Sequence, residues 1–265
     1  MKIGIATSRQ DPAGKNIRNQ LLKAASWKEM GNFEQEMILE NGNFLLIETE
    51  RSLLEANHLD SFFNVDLWVF GSKHSSESGI KSLTVHSPGN WGKAVYGGRD
   101  CELAFSDADM IKNSFLSLKS LLKDPDYQVT LEVTHHGPTE LLKPVIFIEI
   151  GSNIDSWTNE KNGEILRKTI LSLENGKKWT KCVGFGGTHY APAFSKLLID
   201  SNLSIGHIGP KYADLNKKNI KMAFDRTKDC EKIILDWKGL NKEQKDLIKE
   251  VAKENCIEVL RTDDF

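Results

Sequence analysis

The stretch PVIFIEI, residues 144–150, decides the fold class. Its apolar residues fall on both parities of a strand, so both faces of that strand must be covered by other layers of the molecule. Other short apolar runs recur, each followed by a glycine- or serine-rich break. KIGIAT (2–7), FLLIET (44–49), VDLWVF (65–70), SLTVH (82–86) and VTLEVT (129–134) read as strands, as do KCVGF (181–185), LSIGHI (203–208), KIILDW (232–237) and CIEVL (256–260).

Helical patterns lie between them. Asp107 can cap a helix carrying Ile111, Phe115, Leu118 and Leu122 on one face, closed by Pro125. A second runs from about Gly163 to Leu173 and stops at Asn175-Gly176. Pro192 opens a third, PAFSKLLID, and Asn241 with Gln244 forms a capping box before Leu247, Ile248 and Val251. The expectation is one α/β domain over residues 1–265, with a mixed, largely parallel sheet covered by helices.

Composition narrows the function classes. A formal net charge of -2 with 27% charged residues is an ordinary surface, without the basic excess of a nonspecific nucleic-acid binder. No leader peptide or apolar run of membrane-spanning length is visible, so a cytoplasmic protein is expected. Cys101, Cys182, Cys230 and Cys256 are far apart and read as single thiols. No obligate protein partner is evident.

The chemistry concentrates in histidines. Six of the seven lie at or just past a predicted strand end: His74, His86, His135, His136, His189 and His207, leaving only His58 elsewhere. Ligands gather outside the carboxyl ends of strands in open α/β sheets, so these histidines are expected to meet in one cleft. Glu149 adds a carboxylate whose apolar neighbours imply burial, and a buried carboxylate requires a cation or strong hydrogen bonds. Imidazoles with a carboxylate suit zinc, which points to a metal-hydrolase site. His58 and His207, taken singly, read as hydrogen-bonded structural residues. Neighbours on a strand point to opposite faces, so His135 and His136 can share an ion only if the chain turns between them, which Gly137 permits. The pair could instead serve two metals, or divide into one ligand and one acid–base residue.

GFGGTHYAP (184–192) is the second concentrated signal, three glycines whose backbone could approach a ligand closely. With SRQDPAGKNI (8–17), GSKHSSESG (71–79), LTVHSPGNWG (83–92), LEVTHHGPTE (131–140) and IFIEIGS (146–152), it gives the chain a specific likeness. The sequence resembles the archaeal and plant type of D-aminoacyl-tRNA deacylase through most of its first 210 residues, and more weakly after residue 211. That resemblance implies hydrolysis of the ester between a D-amino acid and tRNA, dependence on zinc, and a fold related to peptidyl-tRNA hydrolases and phosphorylase-like proteins.

Roles can then be assigned as expectations. His135, Glu149 and His189 are the first candidates for zinc ligands, with His74 and His86 next, and His136 is the general base or a ligand of a second zinc. The backbone amides of Gly186 and Gly187 are candidates for holding an oxyanion. Lys177, Lys178 and Lys181 precede the glycine loop, and Lys211, Lys217, Lys218 and Lys221 follow the His207 strand. These are candidates for tRNA phosphates, against the ordinary reading of lysines as a solvated face. The competing functions are a zinc peptidase or amidohydrolase on a small substrate, and a non-catalytic tRNA- or metal-binding protein.

Overall fold

The computed structural model describes residues 1–77 and 79–265; Ser78, in the GSKHSSESG block, lies outside the described residues. The chain begins with β1 (Ile3–Ser8), α1 (Pro12–Ala24), β2 (Lys28–Phe33), β3 (Glu36–Asn41) and β4 (Phe44–Thr49). It continues through β5 (Leu67–Ser75), β6 (Ser82–His86), α2 (Ala108–Leu121), β7 (Gln128–Leu131) and β8 (Val145–Ser152). Then come α3 (Ile154–Thr158), α4 (Glu160–Ser172), β9 (Thr180–Phe185), α5 (Pro192–Asp200) and β10 (Leu203–Gly209). The chain closes with α6 (Lys217–Asp225), β11 (Lys232–Leu235), α7 (Lys242–Glu254) and β12 (Glu258–Arg261).

The expected α/β architecture is present, with the strands divided between two sheets. One has eight strands in the order β2-β3-β4-β1-β5-β8-β6-β7, and the other has four, β10-β9-β11-β12. In the larger sheet β4, β1, β5 and β8 run parallel, whereas β6 opposes β8 and takes β7 parallel beside it. Every pairing in the smaller sheet is parallel. One hydrophobic cluster contains Ile148, Ile205 and Ile234, so a contiguous core joins the two sheets.

PVIFIEI forms an interior strand of the larger sheet, β8, between β5 and β6. Val145 through Ile148 are fully buried, and Phe147 packs edge-on against Phe70 of β5 at a centroid distance of 5.2 Å. Each such side chain contributes roughly 1.5–3 kcal/mol through burial. Helix starts follow their caps. Asp11 accepts from the amides of Ala13 and Gly14 ahead of α1, and the capping box of Asn241 and Gln244 opens α7.

Several boundaries differ from expectation. α2 ends at Leu121, before Pro125, and α4 starts at Glu160 because Asn159 caps it. VTLEVT is regular only to Leu131; beyond it the chain leaves the larger sheet to join the smaller one. Ala191 donates to the Leu131 carbonyl, Val133 to that of His189, and Thr134 to that of Ile208, at 2.9–3.0 Å. This suture draws the loop before α5, with His189, over the larger sheet.

Candidate metal centre

Register explains how distant residues meet. Glu149 on β8 stands opposite Ser72 on β5 and Thr84 on β6, and Thr84 stands opposite Thr130 on β7. In-register neighbours share a face, as do residues two apart on one strand. Ser72, His74, Glu149, Thr84, His86, Thr130 and Glu132 therefore mark one face of the sheet. The site is a patch on that face, and the expectation of a gathering at one strand edge is corrected: β6 runs against β8, so His86 ends opposite Phe147.

Glu132 is the residue that sequence reasoning missed. Its carboxylate is fully buried and lies 3.0 Å from Nδ1 of His74, 3.4 Å from Nε2 of His135, 3.5 Å from Nε2 of His189 and 4.0 Å from Nε2 of His86. Glu149, also buried, lies 3.6 Å from His74 Nδ1 and 3.7 Å from His86 Nε2, and accepts a 2.5 Å hydrogen bond from the Ser72 hydroxyl. The Tyr190 hydroxyl is 3.0 Å from Nε2 of His74.

The adjacent histidines owe their placement to a turn at His136 itself, whose φ is +47°. A left-handed backbone costs a non-glycine residue roughly 1–2 kcal/mol. That turn brings the rings of His135 and His136 to 4.3 Å between centroids, and both approach His86.

Three imidazoles are held in one tautomer. Nδ1–H of His135 donates to the Val133 carbonyl at 2.8 Å, that of His136 to Gly137 at 2.7 Å, and that of His86 to Ser87 at 3.2 Å. In the neutral ring each Nε2 is left with a lone pair directed inward. Both oxygens of Glu132 and Nε2 of His86 are buried without a good hydrogen bond. Lone pairs facing carboxylate oxygens at such distances repel unless a proton or a metal cation lies between them.

Two donor sets result, His74–Glu132–His189 and His86–His135–His136, with His86–Glu132–Glu149 joining them; within each, the donor atoms lie within 4.8 Å of one another. Their nitrogen and carboxylate chemistry, and the orphaned atoms among them, fit a zinc-type metal.

Electrostatics divides the cluster. Burial pushes His135 well below its ordinary pKa, aided by His86, His136 and His189, and burial with His86 lowers His136 to about 4. His189 is lowered chiefly by burial. Burial also opposes charge on His74, but Glu132 and Glu149 outweigh it and raise that imidazole to about 11. Burial would raise both glutamates, yet His74 and His86 hold them below the usual range, Glu149 far below it.

A cleft of about 510 Å³ opens onto His74, His135, His136, Glu149 and His189. Leu53, Leu54, Tyr96 and Phe147 supply apolar wall, and Gln10, Asp11 and Lys73 supply polar groups.

Other expected site residues lie elsewhere. Gly186 does not offer its amide to a ligand, because it donates to the Gly209 carbonyl at 2.8 Å. Neither Gly186 nor Gly187 lines the cleft; both have positive φ and pack against the turn at Asp236. Lys177 and Lys178 precede β9, whose six residues at roughly 3.3 Å each stand between them and Gly186, and Lys181 is the second residue of that strand. Lys178 and Lys181 instead approach buried Asp109, at 3.6 and 3.5 Å. Lys211 is beside the loop, its amide bonded to the Gly187 carbonyl at 3.0 Å. Lys217 pairs with Glu250 and Glu254, Lys221 with Asp225, and Lys218 is exposed. His207 is buried inside β10 between the Thr134 hydroxyl and the Ala104 carbonyl, and His58 meets Glu34 at 3.1 Å.

Fold and cleft together define an α/β enzyme with a buried histidine–glutamate site. A family model described as D-aminoacyl-tRNA deacylase matches residues 61–260, and the chain belongs to the D-aminoacyl-tRNA deacylase family. It is 37% identical to the D-aminoacyl-tRNA deacylase of Pyrococcus furiosus, covering 98% of this chain and 100% of that protein. To the enzyme of the same name from Archaeoglobus fulgidus it is 34% identical, over 97% and 95% of the two chains. A solved crystal structure of a conserved protein of unknown function superposes with a TM-score of 0.94 at 33% identity, over 99% of this chain and 96% of the other.

Proposed function

We propose that this chain hydrolyses the ester bond of D-aminoacyl-tRNA, releasing a free D-amino acid and tRNA, at a centre holding two zinc ions. The relatives' name supports the substrate. The observation that carries the chemistry is the gathering of His86 and His135, each tied to a backbone carbonyl through Nδ1, around buried Glu132 and Glu149, with His136 against His86 and with both Glu132 oxygens and His86 Nε2 lacking a hydrogen-bond partner among the described residues. His74, Glu132 and His189 would hold one ion, and His86, His135, His136 and Glu149 the other. Zinc in such a set supplies Lewis acidity and a water-derived nucleophile near neutral pH.

The protein's own groups orient and exclude. Ser72 fixes one oxygen of Glu149, and Tyr190 fixes the far nitrogen of His74. His136, on the cleft wall with Nδ1 tied to the backbone, can take a proton at Nε2 when it is not engaged as a ligand. Leu53, Leu54, Tyr96 and Phe147 receive the aminoacyl side chain and keep water from it. Mirror-image substrates carry the same groups, so selection for D rests on steric exclusion by these walls. A cytoplasmic location is part of the same proposal, because it is consistent with action on aminoacyl-tRNA. Among the described residues no helix is long and apolar enough to cross a membrane.

Metal analysis of the purified protein, with single-turnover deacylation of D-Tyr-tRNA and L-Tyr-tRNA, tests the proposal. The expected result is bound zinc and hydrolysis of the D substrate. Equal rates on both isomers would remove the chiral assignment, and full activity in metal-free protein would remove the zinc.

A further inference from the structure

The basic surface at the carboxyl edge of the smaller sheet has no part in the cleft. On α7, Lys242, Lys245, Lys249 and Lys253 recur at spacings of three and four and so share one face. Each is followed by an acid, Glu243, Asp246, Glu250 or Glu254, which forms a parallel stripe about 100° round the helix. The acidic stripe is engaged by α6, where Lys217 Nζ bonds Glu250 and Glu254 at 2.7 and 2.8 Å. Among the described residues, none of the four α7 lysines forms an ion pair with a carboxylate. With Glu250 and Glu254 engaged by Lys217, the lysine face carries no ion pair among the described residues.

A second observation lies at the end of β11. Lys245 Nζ is 4.5 Å, Lys249 Nζ 4.7 Å and the Arg261 guanidinium 3.9 Å from the centre of the half-buried Trp237 ring. Exposed cation–π contacts contribute only about 0.5–1 kcal/mol each. Three cations gathered round one ring repel one another, and an anion among them relieves that repulsion.

The surface also leads to the cleft. Strand ends of β9, β10, β11 and β12 lie in register along one edge, with Phe185 beside Gly209 and Leu235, and Leu235 beside Arg261. Gln244 at the start of α7 donates to the Lys211 carbonyl at 2.9 Å, and the Lys211 amide donates to Gly187, two residues before His189. From Lys242 the lysine row extends eleven residues, about 16 Å at 1.5 Å each, long enough for several consecutive phosphates.

We propose that this surface, formed by Lys245, Lys249 and Arg261 around Trp237, with Lys211 beside the start of α7 and Lys242 and Lys253 continuing the row along that helix, binds the phosphate backbone of tRNA while the aminoacyl end enters the cleft. Its occupant rests on the reading of tRNA as substrate, and charge complementarity selects it: a row of unpaired cations meets a row of phosphates. Positive charge is local here, which reconciles a polyanionic substrate with a net charge of -2.

The test compares wild type with K245E/K249E/R261E and with the neutral K245Q/K249Q/R261Q, all checked by thermal melt. Binding of deacylated tRNA is measured across salt concentrations, and hydrolysis is measured on D-Tyr-tRNA and on the D-tyrosyl ester of adenosine. Charge reversal should weaken tRNA binding at least tenfold and flatten the salt slope by about 3, one unit per lost phosphate contact. The neutral variant should fall between, and the hydrolytic defect should be confined to the tRNA substrate. Patch-dependent tRNA binding in a protein that leaves D-Tyr-tRNA intact would support this surface while removing the deacylase reading. Unchanged tRNA affinity and slope would overturn the proposal, as would an equal loss on the adenosine ester. Tighter patch-dependent binding to phosphatidylserine vesicles than to tRNA would also overturn it.

Discussion

The two charged regions of this molecule are built on opposite terms. Under the cleft, Glu132, Glu149 and His86 are at most 3% exposed, fixed by strand register and by hydrogen bonds. At the edge of the smaller sheet, Lys242, Lys249, Lys253 and Arg261 are exposed and paired with no carboxylate. A buried charge costs several kcal/mol unless matched, so each member of the first group is specific to its position. An exposed charge acts through the summed field and is screened by salt, so members of the second group are individually replaceable. The difference predicts large, salt-insensitive effects at the first region and small, additive, salt-sensitive ones at the second.

The largest effect is expected at Glu132, which four histidines approach at 3.0–4.0 Å. Glu132→Gln keeps the volume but removes the charge of one donor set and of the group that joins it to the other. Loss of an outer partner of a metal ligand already costs about 10- to 100-fold, and Glu132→Gln should exceed that in both metal affinity and kcat. Metal titration and single-turnover hydrolysis measure it. A variant with normal zinc content and rate would show that the carboxylate is only a structural counter-ion.

The histidine pair comes next. His135→Ala removes a nitrogen 3.4 Å from Glu132 and should lower metal content. His136→Ala, on the cleft wall beside Phe147, should leave one ion in place and lower kcat by about 10²- to 10⁴-fold, as loss of an acid–base group or second ion would. Zinc stoichiometry separates them, and matching behaviour in the two variants would dissolve the distinction.

His207 sharpens the comparison from inside the core. It is buried with both ring nitrogens bonded, to Thr134 at 3.1 Å and to Ala104 at 2.9 Å. His207→Ala leaves a cavity and unpaired polar atoms, worth about 2–4 kcal/mol of stability. The folded fraction should retain its zinc, and urea midpoints with metal analysis check both halves of that statement.

What was legible in the sequence was local. PVIFIEI shows its burial because both parities are apolar, and the caps at Asp107 and Asn241 are written in adjacent residues. Histidines draw notice by rarity. Glu132 escaped because in VTLEVT it belongs to the polar half of an alternation, indistinguishable from a solvated side. Only the 186–191 loop, brought over by the suture to Leu131 and Val133, makes that side an interior. Division of the strands between two sheets was likewise invisible, since apolar periodicity marks a strand without naming its neighbours. β2, almost wholly exposed, offered no apolar pattern to find. The basic edge escaped for a different reason: each lysine of α7 is followed by an acid, and only the helix separates them into stripes.

The smallest effect sets a boundary on the second region. Lys177 and Lys178 are as exposed as the lysines of α7 and closer in sequence to His189, so proximity along the chain would favour them as tRNA contacts. Position in the sheet argues the reverse, because they precede the amino end of β9 while the cleft and the basic edge lie at the carboxyl end. Lys178 moreover faces the Asp109 carboxylate, which already compensates part of its charge. The K177A/K178A double variant should therefore change tRNA affinity by less than about twofold, within the range of an ordinary surface substitution. Its salt slope should stay at the wild-type value. A defect as large as that of K245E/K249E/R261E would mean that tRNA is gripped by field strength anywhere on the surface, and the distinction between a positioned edge and a merely basic one would fail.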